Sequence, residues 1–175
     1  MSQKIEPVIR HATSADTDLL AELGARTFFE AFAADNKAED MAAYLVAHFS
    51  KEQFAVELAD PRAVFLIAEI EGREAGYAKL YASEGPTGVS GSERVELVRL
   101  YVLQKWLGRG VGDGLMRACI EEARRAGHTA LWLGVWEHNK RAQAFYRKWS
   151  FREVGQHTFQ LGADEQTDLV MERAL

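Results

Sequence analysis

Apolar residues recur at helical spacing over the first third of the chain and change to a strand pattern at Ala63. Leu19, Leu20, Leu23, Phe28 and Phe32 follow Thr13-Ser14, whose hydroxyls can satisfy the free N–H groups of a helix start, so a helix is expected over 14–33. A short strand, Ile5–Arg10, precedes it. The segments 39–49 and 51–58 each place apolar residues three or four apart and predict further helix, closed by Pro61. A-V-F-L-I-A-E-I, the turn E-G-R and E-A-G-Y-A-K-L-Y then read as a β-hairpin. Residues 83–92, S-E-G-P-T-G-V-S-G-S, form either a surface loop or a disordered connector. R-V-E-L-V-R-L-Y-V-L is a strand that runs into L-G-R-G-V-G. Beyond it Val111, Leu115, Cys119 and Ala123 line one face of a helix stopped by Gly127. A strand over 129–135 and a helix over 139–149, with Ala142, Phe145, Tyr146 and Trp149 on its buried side, lead to strands over 151–161 and 167–173. The order β, α, α, β, β, β, α, β, α, β, β makes this an α/β chain. A strand, crossover helix and strand in its second half require a parallel pair inside a mostly antiparallel sheet.

The 175 residues suit one domain, 1–175, and the 47% hydrophobic and 27% charged composition is that of a globular protein. The longest apolar run, Ala63 to Ala68, falls far short of the roughly 20 residues of a membrane helix, so no membrane partner is expected. M-S-Q-K-I-E-P has no apolar stretch behind a basic start, so no leader is expected and the protein is placed in the cytoplasm. Cys119 is the single cysteine, which rules out an intramolecular disulfide and a multi-cysteine metal site. It sits among apolar neighbours and reads as core, not nucleophile. His128, His138 and His157 lack metal-ligand spacing, so no metal is expected. A net charge of −5 argues against a nucleic-acid binder. The charge is uneven: residues 1–88 carry 8 Lys/Arg against 15 Asp/Glu, and residues 89–175 carry 13 against 11. If the halves face different ligands, the first suits a cation and the second an anion.

Gly108, Gly110 and Gly112 alternate where a strand becomes a helix. Glycine lets backbone approach a ligand closely, and a helix start offers unpaired N–H groups with a partial positive charge. Together with Lys105 and Arg109 they make a seat for a pyrophosphate. The other reading is a structural turn. A P-loop is excluded by the missing G-K-[ST], and a dinucleotide fold by the missing early βαβ unit.

V-R-L-Y-V, K-W-L-G-R-G-V-G and W-E-H-N-K-R-A-Q-A-F-Y-R-K-W-S-F closely resemble the acetyl-CoA-binding motifs of the GNAT N-acetyltransferases. That family's turn reads Arg/Gln-x-x-Gly-x-Gly/Ala; this chain has Lys105-x-x-Gly108-x-Gly110, with Gln104 one place early. E-L-V-R-L-Y-V, L-G-V-W-E-H-N and H-T-F-Q-L-G-A-D-E-Q-T-D-L-V-M are similar to the PaiA-type spermidine/spermine acetyltransferases. The likeness covers about residues 93–175 and is loose before residue 60. It implies the GNAT fold, a mixed sheet of about seven strands with four or five helices, and acetyl-CoA as cosubstrate. Leu100, Tyr101 and Val102 would supply strand-edge hydrogen bonds to the acetyl group and pantetheine. Gly108, Arg109, Gly110, Val111 and Gly112 would hold the pyrophosphate, Asn139 the pantetheine, and Tyr146 would lie near the sulfur.

Acetylating an amine requires loss of a proton, because an alkyl ammonium has a pKa of about 10. Glu96, four residues before Leu100, is the candidate base; its other readings are a solvent-facing residue or an ion pair with Arg99 or Lys79. Tyr146 is the candidate acid for the departing thiolate, or else core beside Phe145. Phe28, Phe29 and Phe32 beside Glu30 could form a pocket for a methylene chain ending at a carboxylate, or simple core. Glu30, Asp35, Glu39 and Asp40 could attract a polycation, or form a solvated helix face. Trp106 either covers the cofactor or fills core. Asp164 to Asp168 would shape the acceptor cleft, across a homodimer or within one chain. The expected function is direct acetyl transfer to a small-molecule amine, a polyamine by preference. The alternatives are acetylation of a protein N-terminus or lysine, and a non-catalytic acyl-CoA-binding regulator.

Overall fold

The computed structural model describes residues 5–175. Residues 1–4, where the leader reading began, lie outside the described residues. The elements are β1 (Val8–His11), α1 (Thr17–Phe32), α2 (Ala38–His48), α3 (Lys51–Ala59), β2 (Ala63–Ile70), β3 (Arg73–Ala82) and β4 (Arg94–Val102), then α4 (Val111–Arg125), β5 (Ala130–Trp136), α5 (Lys140–Lys148), β6 (Arg152–Leu161) and β7 (Asp164–Ala174). Among the described residues these are five α-helices and one seven-stranded sheet, ordered β1-β2-β3-β4-β5-β7-β6. The α/β mixed sheet expected from the sequence is present. β1 starts later than the apolar pattern suggested, and β7 begins at Asp164, because cross-strand pairing extends the last hairpin to Leu161↔Asp164.

Local chemistry sets the element ends. The Thr13 hydroxyl accepts from the Ala15 N–H while the Asp16 carboxylate accepts from the Thr13 N–H at 2.8 Å, a capping box that forms a short 3₁₀ turn before α1. Glu71 and Gly72 both have positive φ, 52° and 73°, the conformation a tight β2–β3 hairpin requires.

Every strand pairing is antiparallel except β4 with β5. That parallel ladder holds only at Arg94↔Ala130, Val95↔Leu131 and Glu96↔Trp132, after which the strands part. A bulge marks the same place: Lys79 pairs with Arg99 but Leu80 with Leu97, leaving Val98 as the extra residue. The bulge bends β4 away from β5 and opens the sheet.

The sheet buries a layer on each face. α4 packs Val111, Leu115, Cys119 and Ala123 against Ala78, Leu80, Leu131 and Leu133 on one side. Burial pushes the Cys119 thiol up to about 12, consistent with an inert core residue. On the other side α1 and α3 pack Leu20, Phe28 and Phe54 against Phe65, Ile67 and Tyr77. The buried residue of α5 is Gln143, whose Nε2 donates to the carbonyls of Trp136 and Glu137; Ala142, Phe145, Tyr146 and Trp149 are only half-buried. The Gly- and Ser-rich loop is fastened: Val89 packs on Trp132 and Val170, and buried Glu172 accepts from the Ser90 N–H at 2.7 Å.

Beneath α3 a single carboxylate, Glu57, holds two cations. Its oxygens lie 2.8 Å from Lys79 Nζ and 2.8 Å from Arg99 Nη1, with side-chain exposures of 9%, 10% and 11%. Burial alone would raise the Glu57 carboxyl, yet Arg99 and Lys79 hold it below the ordinary carboxylate range. Glu57→Ala would leave both cations unpaired and should cost about 3–5 kcal/mol in urea unfolding at pH 7. Because the folded value is depressed, the Glu57 contribution is complete above its unfolded value of about 4.3 and is lost as pH falls through the folded one. The deficit of the variant should therefore shrink in acid.

Candidate active site

The gap between β4 and β5 is lined by two clefts. The first, about 540 Å³, runs from the β4–α4 turn along α5 past Gly108, Gly110, Gly112 and Asn139. The second, about 360 Å³, lies under α1 and α2 against β4, β5, β6 and β7. Leu100, Tyr101, Asn139, Ala142 and Tyr146 line both, so the two spaces meet there. Past Glu96, the edge of β4 that faces β5 has no strand partner, so its backbone polar groups are available to a ligand.

In the first cleft Gly108 and Gly110 have φ of +75° and +99°, which turns the chain sharply into α4. Among the described residues the N–H groups of Gly108, Gly110, Val111 and Gly112 donate no hydrogen bond, leaving a cluster of orphan donors at a helix start. The Val111 side chain is fully buried in the core, so only its amide can serve a ligand. Lys105 and Arg109 do not line the cleft. They are exposed and lie over the Trp106 ring, 5.6 and 5.4 Å from its centroid; attraction to the ring face holds them outside. The cations that line the cleft are Arg141 and Lys148, which the sequence reading missed. Trp106 itself lines the cleft, with a buried Nε1–H that has no partner among the described residues. Asn139 caps α5, its Oδ1 accepting from the Ala142 N–H at 3.1 Å, which aims the rest of the amide at the junction of the clefts.

In the second cleft the walls are Phe28, Phe32, Tyr44, Phe49, Trp136 and Phe159. Phe28 stacks on Tyr44 at 4.8 Å and Phe32 meets Trp136 edge-on at 6.4 Å. Glu30 is not with them. It lines the first cleft, accepting from the Gln104 N–H at 2.7 Å and from Arg26 Nε at 3.0 Å. Residues two apart on a helix point to opposite sides, so Phe28 and Phe32 share a face that Glu30 cannot join. Phe29 is exposed. Glu96 faces the second cleft and, among the described residues, makes no hydrogen bond or ion pair. Arg99 and Lys79, its expected partners, are taken by Glu57. Burial pushes the Glu96 carboxyl above its usual range, against the pull of His157 and Lys79. Tyr146, on α5, is half-buried, and desolvation raises its phenol, keeping it a neutral proton donor at physiological pH. Asp168, at the end of the segment expected to shape the acceptor cleft, and His157, considered in the sequence only as a metal ligand, also line this cleft.

Residues 21–151 match the model of the acetyltransferase (GNAT) family. The chain belongs to the GNAT acetyltransferases. It is an acetyl-CoA-dependent acyltransferase. An uncharacterised N-acetyltransferase of Mycobacterium tuberculosis is 40% identical over 161 residues, covering 91% of this chain and 98% of that protein. One from Lactobacillus delbrueckii subsp. lactis is 34% identical, covering 85% and 86%. Among solved structures, PaiA N-acetyltransferase from Thermoplasma acidophilum in complex with coenzyme A superposes with a TM-score of 0.78 at 19% identity, over 98% of this chain and all of that one. A ribosomal-protein-alanine N-acetyltransferase from Brucella melitensis gives 0.67 at 26%, over 96% and 99%. The orphan amides, the partnerless indole N–H and Arg141 fit a nucleotide-bearing thioester of this kind; Lys148 beside them is paired with Asp113 at 3.0 Å. No helix of the described residues is long and apolar enough to cross a membrane.

Proposed function

We propose that this acetyltransferase moves the acetyl group of acetyl-CoA directly to a primary amine, with the cosubstrate in the first cleft and the acceptor in the second. What carries this reading is the meeting of the clefts at Asn139 and Tyr146, with an unpaired, half-buried Glu96 on the acceptor side. Acetyl-CoA supplies an activated acetyl group as its thioester. The amides of residues 108–112 and the side chains of Arg141 and Lys148 hold phosphate, and the open edge at Leu100 and Val102 holds the arm. Glu96 takes the ammonium proton and Tyr146 protonates the sulfur as it leaves.

The favoured acceptor is a polyamine such as spermidine, in the cytoplasm. Aromatic walls suit methylene chains and ammonium groups, and Glu96 and Asp168 supply negative charge. Arg99, the cation at the cleft floor, is already matched by Glu57 in two hydrogen bonds of 2.8 and 3.1 Å. A second reading, acetylation of a protein N-terminus, is favoured by the likeness to the ribosomal-protein-alanine enzyme. A thiol-release screen over polyamines, amino acids, aminoglycosides and alanine-terminated peptides separates the two. Release with millimolar spermidine and none with peptides supports the polyamine; the reverse selects the second reading. Coenzyme binding without release on any amine would remove both.

A further inference from the structure

Gly134 stands mid-strand in β5, in L-W-L-G-V-W, where large apolar residues otherwise dominate. A glycine inside a strand often marks a place where another group comes close. A Cβ at this position would lie 3.0 Å from His157 Nε2 and 3.2 Å from Asp168 Oδ2, so the missing side chain is the space these two occupy. His157 on β6 and Asp168 on β7 are register partners, with Nε2 3.6 Å from Oδ2. The Asp168 side chain is 13% exposed and that of His157 35%, so the pair reaches from the interior toward water. Glu96 pairs with Trp132, two residues before Gly134 on the same strand, and so shares the face over which the pair sits. All three carboxylate and imidazole groups line the acceptor cleft.

The reaction needs a proton exit. Two protons leave the acceptor nitrogen in each turnover and only one ends on the sulfur. We propose that His157, oriented by Asp168, carries the other from Glu96 to solvent, a role that rests on the reading of Glu96 as the base. One N–H bond breaks as the Glu96 carboxylate takes the proton, and the freed lone pair forms the C–N bond to the acetyl carbon. The C–S bond breaks with its electron pair on sulfur, which gains the Tyr146 proton; the second proton from nitrogen restores Tyr146. Glu96 then passes its proton, directly or through water, to the free imidazole nitrogen of His157, which releases it at its exposed edge. Asp168 remains ionised throughout.

Other ionisable groups face this cleft: Glu96, Arg99 and Tyr101 on β4, Tyr44 and His48 on α2, and Tyr146 on α5. The nearby Asp168 carboxylate, 3.6 Å away, raises the His157 imidazole above its ordinary value against the effect of burial, and Glu96 adds to the rise.

The first test needs no acceptor. The His157 ring is followed by NMR titration in the coenzyme A complex, its signal assigned by its loss in His157→Gln. Glu96→Gln and Asp168→Asn each remove a negative charge, and each should lower the His157 midpoint, Asp168→Asn by more. An unmoved midpoint in Glu96→Gln overturns the relay. The second test follows acetyl transfer to spermidine and to an alanine-terminated peptide. His157→Gln should bind coenzyme A like the parent and lose about tenfold in kcat, and 50 mM imidazole should restore most of that loss but none of the loss in Glu96→Gln. Full kcat in His157→Gln, or no rescue, overturns the relay while leaving amine acetylation intact. Coenzyme binding with no turnover of either acceptor by the parent enzyme overturns the transfer reading, and the relay with it.

Discussion

Replacing Gly110 by Glu is expected to abolish acetyl-CoA binding. Three effects act in one direction. Gly110 has φ of +99°, which a side chain rarely adopts, and its Cβ would come within 3.1 Å of the Ile5 carbonyl oxygen. The position is the N-cap of α4, so the new carboxylate would accept from the N–H groups that otherwise remain for phosphate. Its charge would also repel the pyrophosphate. Loss of two or more charge-assisted hydrogen bonds, each worth roughly 1.5–3 kcal/mol, predicts at least a hundredfold fall in affinity. Calorimetry with coenzyme A checks this, and binding within tenfold of the parent would remove the turn as the phosphate seat. Gly108→Ala is the matched control for backbone strain: φ is again positive, at +75°, but a Cβ there meets nothing within 4 Å and adds no charge. It should weaken binding far less.

Glu96→Gln should lower kcat by about 10²–10⁴-fold with coenzyme A affinity unchanged, since the amide fills the same space but takes no proton. Its pH dependence is the sharper check. Burial raises the Glu96 carboxyl, so the acid limb of kcat/KM should lie above the ordinary carboxylate value of about 4.3, and the variant should lack that limb. The linkage sign is also distinctive. A carboxyl whose folded value is raised stabilises the fold only when protonated, and that contribution is lost as pH rises through the folded value. Above the folded value the ionised group is a cost, so there Glu96→Gln should not lower the unfolding midpoint. A variant that loses both activity and stability would point to a structural role for Glu96. Tyr146→Phe should reduce kcat less, by about 10–10²-fold, because water can also protonate the departing thiolate. An unchanged rate would remove Tyr146 as the acid.

The Gly turn was readable because its conformation is local: positive φ at Gly108 and Gly110 is a property of those residues in that order. The buried face of α4 was readable because Val111, Leu115, Cys119 and Ala123 repeat at the period of the helix itself. The structure differs from the sequence reading where side-chain direction decides. Lys105 and Arg109 are near the turn in sequence, but the Trp106 ring holds them outside the cleft, and Arg141 and Lys148 reach it from another element. Glu30 was grouped with Phe28 and Phe32 by proximity along the chain, although a helix turns it away from them. Gly134 was a visible signal of close approach, but nothing in the sequence said what approached.

From the sequence by itself follow most of the strands and helices, the buried face of α4, the glycine turn and the motifs that mark the family, because each depends on residues a few positions apart. Only the tertiary structure decided that β4 and β5 part after three pairs, that Glu57 takes Arg99 and Lys79 and so leaves Glu96 unpaired, and that His157 and Asp168 sit over Gly134. These depend on strand register and on competition among distant charges. Register is set by how the whole sheet packs, and an ion pair forms with whichever partner the fold brings within reach.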